Sequence, residues 1–86
     1  MKHYMIKYRI GTSEVERYTV WCSEDELEEN LENLLYHFEA FIDWIGDKPE
    51  GQKDYYETNK INILKEFGLL DKNEENENKI YRMWRY

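Results

Sequence analysis

The side chains able to do chemistry are few, and their spacing disfavours most of it. Cys22 stands just ahead of a helix-start signature, where a helix dipole can lower a thiol pKa. Glu24, Asp25 and Glu26 follow at once and oppose a thiolate. A nucleophilic cysteine also needs a base, and the chain has two histidines, His3 and His37. Cys22 therefore reads as a half-buried structural thiol. His37, between Tyr36 and Phe38, reads as a packed edge residue. One cysteine and two scattered histidines lack zinc-ligand spacing. Residues 71–75 begin like a calcium loop, but Asn76 stands where that loop turns on glycine and Arg82 where it needs a glutamate. The four glycines are isolated, so no phosphate loop forms. Carboxylates abound, but a solvated helix offers no pocket to raise a pKa for acid catalysis. The expectation is no catalytic residue, no metal and no cofactor.

The acids themselves carry the strongest pattern. Asp25, Glu29, Glu32, Tyr36, Glu39 and Asp43 step by 4, 3, 4, 3, 4, and Glu28 flanks them. Leu27, Leu31, Leu34, Phe38, Phe41 and Ile45 repeat the same steps two residues later. On a helix the two stripes lie about 200° apart, one inward and one in water. Ser23 with Glu26 reads as a capping box, and Gly46 as the stop. The spacing predicts a helix over 24–45, roughly 33 Å long at 1.5 Å per residue.

Other elements must hold that helix. Tyr4, Ile6, Tyr8 and Ile10 alternate with His3, Met5, Lys7 and Arg9, a strand pattern. Residues 11–14 read as a turn and 15–21 as a second strand, completing an antiparallel hairpin. Residues 47–53 read as a loop. Asp54 with Glu57 suggests a second helix start, Ile61, Ile63, Leu64 and Phe67 its apolar side, and Gly68 its end. Polar residues 71–78 read as a mobile loop and 79–86 as a third strand. The expected fold is α+β: a three-stranded antiparallel sheet in ββααβ order, with a long acidic helix and a shorter one on one face.

With 86 residues, 1–86 is expected to form a single domain. Mean hydropathy is −0.99, yet aromatics reach 16%, too many for a disordered chain. No uncharged run exceeds six residues, too short for a membrane helix or a signal peptide. That, with the lone cysteine, suggests a cytoplasmic setting.

The net charge of −7 is unevenly distributed. Residues 1–17 hold four basic and two acidic groups, +2; residues 18–47 hold nine acids and no Lys or Arg, −9; residues 48–86 hold eight of each, 0. The helix dipole accounts for acids in the first turns, but not for Glu32, Glu39 or Asp43. Such a rod could occupy a basic groove that normally holds nucleic acid, as small acidic phage inhibitors of restriction or CRISPR enzymes do. That comparison is one of class, carried by charge and not by motif. The expected partner is a basic host protein, contacted by Asp25, Glu28, Glu29, Glu32, Glu39 and Asp43 with Tyr36 as apolar anchor. A homo-oligomeric assembly protein is the alternative, with a homodimer through the aromatic end of the helix and the sheet. Single-stranded nucleic-acid binding ranks third, through Lys2, Lys7, Arg9, Lys79, Arg82 and Arg85 interleaved with Tyr4, Tyr8, Tyr81, Trp84 and Tyr86.

Overall fold

A computed structural model describes residues 2–11, 15–47 and 60–84, with backbone alone at 47 and 81–84. Strand β1 (His3–Ile10) forms where the alternation is clearest. Tyr4 and Ile6 enter the core, and Tyr8 and Ile10 pack against it. Strand β2 (Glu16–Ser23) pairs antiparallel with β1, from His3 opposite Ser23 to Ile10 opposite Glu16 without a break. Strand β3 (Phe41–Asp47) pairs antiparallel on the other side of β1, so the sheet order is β2-β1-β3.

Between β2 and β3 lies a short helical segment. A 3-10 turn (Glu24–Glu26) leads into α1 (Leu27–Glu32), and a wider π-helical turn (Asn33–His37) follows. Leu27, Leu31, Leu34 and Leu35 point into the core. After β3 come α2 (Lys60–Phe67) and α3 (Leu70–Trp84). The fold is α+β, a three-stranded antiparallel sheet with helices, but the order is ββαβαα and not ββααβ.

Two elements differ from the sequence expectation, each for a local reason. The helix expected to run to Ile45 ends at His37. Glu39 adopts a left-handed φ of 51°, and the Ala40 N–H donates back to the Leu34 carbonyl (2.9 Å). The chain then reverses into β3, whose aromatic and β-branched residues suit a strand. Ile42 and Ile45, three apart, both face the core because a β-bulge falls between them, where the β1 register shifts at Lys7/Tyr8. The extra residue flips the alternation and imitates helical spacing. Gly46 is no helix stop. It sits in β3, where a methyl group would overlap the indole of Trp44. The capping box does not form: Ser23 makes no side-chain bond to an amide of the helix start, and the Glu24 amide donates to the Lys2 carbonyl (2.9 Å). Ser23 Oγ instead donates to the Glu26 carboxylate (3.4 Å).

The second difference is α3, which covers both the expected 71–78 loop and most of the expected third strand. Its inward stripe is Leu69, Asn73, Asn76 and Ile80, stepping by 4, 3, 4, with all four buried. Two asparagines on that stripe hid the helical period. Each meets backbone. The Ile42 N–H donates to Asn73 Oδ1 (2.7 Å), and Asn73 Nδ2 donates to the Ile42 carbonyl (3.2 Å). Asn76 Nδ2 donates to the carbonyls of Leu35 (3.0 Å) and Ala40 (2.8 Å). Buried amides are tolerated because they satisfy backbone groups that would otherwise be unpaired.

The end of α2 agrees with the sequence. Gly68 takes φ 73°, its N–H donates to Lys65 (3.1 Å), and the Leu69 N–H donates to Leu64 (2.7 Å). This is a Schellman ending, sealed by the buried Leu64 and Leu69 side chains. It sets the angle at which α3 carries its asparagines to β3. The expected loop 47–53 beyond its first residue, the Asp54–Glu57 helix start and residues 85–86 of the expected strand lie outside the described residues.

Candidate partner-binding surfaces

The first surface is an acidic ridge. Glu24, Asp25, Glu26, Glu28, Glu29 and Glu32 are all exposed on the 3-10 turn and α1, while Leu27 and Leu31 between them are buried. Alternating leucines pin the segment to the core and leave every carboxylate outward. The ion pairs Arg9–Asp43, Lys72–Glu75 and Lys79–Glu39 involve none of these six carboxylates. Nine residues at ~1.5 Å each span roughly 13 Å, so the carboxylates stand about one per 2 Å of axis. B-DNA carries one charge per ~1.7 Å.

The other residues expected on that stripe are dispersed. Tyr36 follows the ridge on the π turn and is exposed, with Lys72 Nζ lying 5.3 Å from its ring centre. Lys72 also donates to Glu75 (2.8 Å), a bond that raises the Lys72 pKa and lowers that of Glu75. Glu39 occupies the left-handed turn, 3.5 Å from Lys79. Asp43 lies on another element, at the bulge of β3. There Arg9 donates to it three times, from Nε at 3.1 and 3.0 Å and from Nη2 at 2.8 Å. The structure therefore keeps Asp25, Glu28, Glu29 and Glu32 together, adds Glu24 and Glu26, and separates Glu39 and Asp43 from them.

The second surface is the sheet face away from the helices. Strand alternation places Met5, Lys7 and Arg9 on that side from β1, Arg17, Thr19 and Trp21 from β2, and Phe41 and Trp44 from β3; Met5 and Phe41 are buried, and Lys7, Arg17, Thr19 and Trp21 are exposed. Lys7 Nζ lies 5.6 Å from the Trp44 ring, and the Arg9 guanidinium 4.8 Å from Phe41. Lys60 reaches the same Phe41 ring at 4.9 Å. A shallow basin of about 580 Å³ is lined by Lys7, Arg9, Arg17, Thr19 and Asp43 with Tyr8 and Tyr18. The alternation in β1 already separates Lys7 and Arg9 from Tyr4 and Tyr8. Arg17 and Trp21 are placed on this face by the β2 register, and Trp44 by the β3 register. Tyr4 and Tyr8, expected as stacking rings for nucleic acid, instead belong to the helix side. Residues 79–84 are helical, so Lys79 is not part of this face and a third basic strand does not exist.

Cys22 is buried at the end of β2. Burial, with the charge of Glu26 second, pushes its thiol pKa up, the reverse of activation. Among the described residues, no group of three or more His, Cys, Asp or Glu could hold a metal ion. No helix of the described residues is long and apolar enough to cross a membrane. Comparison of the chain with protein-family models, with curated proteins and with solved structures gave no match.

Proposed function

We propose that this is a binding protein that uses the acidic ridge of Glu24–Glu32 to occupy the basic, nucleic-acid-binding groove of a protein partner. The observation that carries the reading is the ridge itself, six exposed carboxylates with no Lys or Arg among residues 18–47. Its charge spacing is close to that of duplex DNA over roughly 13 Å, about two and a half turns of helix. A rigid, preorganised strip of charge gains on-rate by steering and gives specificity by complementarity. The natural partners of such a strip are enzymes or complexes that hold nucleic acid in a groove of Lys and Arg, and blocking that groove would inhibit them. A phage or mobile-element inhibitor of host defence is the biological setting that fits this chemistry. Asp25, Glu28, Glu29 and Glu32 form the contact line, with Tyr36 at its end. Asp43 is occupied by Arg9 and Glu39 by Lys79, so both are secondary.

The test is competitive capture. Immobilised protein should retain basic nucleic-acid-binding proteins from a host lysate at low salt, and added duplex DNA should displace them. Raising salt should release them, since exposed charge pairs are screened within ~8–10 Å at 0.1–0.15 M. Changing Glu28, Glu29 and Glu32 together to Lys should lower capture by about 100-fold or more, the scale of electrostatic steering. Capture that survives the triple reversal, or that DNA does not compete, overturns the proposal.

A further inference from the structure

We propose that the outer edge of β2 is a homodimer interface, where two copies pair β2 to β2 antiparallel about a twofold axis at Thr19. Sheet edges are templates for a further strand, and proteins blunt them with charge, proline, bulges or a covering element. The β3 edge is covered at Ile42, because Asn73 takes its N–H and carbonyl as a neighbouring strand would. Among the described residues, no further strand pairs with the outer edge of β2. Residues 18–23, Tyr-Thr-Val-Trp-Cys-Ser, hold no charge, proline or glycine. Their pairing to β1 is unbroken over eight positions, and the bulge of the sheet lies on the other side. Tyr18 and Trp21 remain 40% and 46% exposed.

The sequence of β2 selects both the occupant and the register. A twofold axis normal to the sheet keeps each face on its own side, so opposed residues must share a face. Centred on Thr19, Arg17 lies opposite the partner's Trp21, twice, on the face away from the helices. Tyr18 lies opposite the partner's Val20, twice, on the helix side. The first pair sets a cation against an aromatic ring and the second an aromatic against a β-branched residue, both favourable across strands. Centring on Tyr18 would instead set Glu16 against the partner's Val20. Centring on Val20 would set Arg17 against the partner's Ser23. The Thr19 register also sets Glu16 opposite the partner's Cys22 at its ends, but of the three it alone sets the Arg17 cation against an aromatic ring, and it closes into a six-stranded sheet. Main-chain bonds supply affinity and these side chains the register, as in strand addition generally.

Two chains of −7 repel, so added salt should strengthen this dimer while weakening ridge binding. Failure of one proposal is thereby separated from failure of the other. Sedimentation equilibrium on the full chain should show a concentration-dependent shift from 10.7 kDa to twice that mass, favoured by salt. Thr19 is exposed, so Thr19→Lys should leave the folded monomer intact by circular dichroism. It sets like charges opposite each other at the axis and should raise the dimer dissociation constant at least ~10-fold. Mixing Thr19→Lys with Thr19→Glu should restore association as a heterodimer. A mass of 10.7 kDa up to millimolar concentration, a dimer indifferent to Thr19→Lys, or a mixture that stays monomeric overturns the proposal.

Discussion

The two edges of the sheet receive opposite treatment. At β3, α3 lays Asn73 against Ile42 so that a side-chain amide replaces the missing strand. At β2, eight residues in regular register end with their outer backbone groups facing away from β1. The contrast shows that an edge need not be closed by another strand. One carboxamide has a donor and an acceptor spaced like those of a peptide, and a helix can deliver it. Among the described residues, this kind of closure is seen at β3. The ridge and the β2 edge thus form two accessible surfaces of different character, one charged and one hydrogen-bonding and aromatic.

The largest test of this contrast removes the closure of β3. Asn73→Leu keeps the helix and its buried volume but leaves the Ile42 N–H and carbonyl unpaired. Each buried unsatisfied group costs about 1–3 kcal/mol, so a loss of about 3 kcal/mol is expected in urea unfolding. Amide exchange at Ile42 should accelerate more than at Ile6 in β1. Equal acceleration at both would show that Asn73 supports global packing and not the edge.

A smaller effect is expected where β1 grips the bulge. Arg9→Met removes the donors to Asp43 at a partly exposed pair, with side chains 14% and 32% accessible. Solvent screens such a pair, so about 1 kcal/mol of stability should be lost. Ile42 and Ile45 should both stay buried, because the bulge rests on backbone register. Next is Gly68→Ala, which places a side chain at φ 73° with open space around it. The cost is conformational, about 1 kcal/mol, and thermal melting should register it. Hydrogen exchange at Ile42 should rise with it, since this turn aims α3 at the β3 edge.

The smallest effect concerns the β2 side. Burial raises the Cys22 pKa, so the folded chain holds a proton that the unfolded chain releases near its ordinary value. That contribution is full below the unfolded pKa, ~8.5, and declines as pH rises above it. Urea midpoints of the native chain should fall slightly more between pH 8 and 10 than those of Cys22→Ala. Parallel curves for the two would show that the thiol is hydrated at the end of β2.

Legibility in the sequence followed locality. The β1–β2 hairpin could be read because both strands alternate and lie close in the chain. The Gly68 ending could be read because a left-handed residue needs only its neighbours. The ridge of Asp25, Glu28, Glu29 and Glu32 could be read because Leu27 and Leu31 mark the buried side within one segment. Its extension to Glu39 and Asp43 could not. The residues from Phe38 to Ile45 satisfy a helical period and a bulged strand equally, and only pairing with β1 decides between them. The helix over 70–84 was obscured because its inward asparagines carry polar side chains whose partners, Ile42, Leu35 and Ala40, lie 31 to 41 residues away.

By itself, then, the sequence determined an α+β chain with a hairpin and one strongly acidic helical segment. Those properties depend on composition and on contacts a few residues apart. Tertiary structure alone decided where the acidic segment stops, that Asp43 pairs with Arg9, and that Asn73 closes the β3 edge at Ile42. Each of these depends on a long-range backbone or side-chain pairing, and a local periodicity is blind to the partner that completes it.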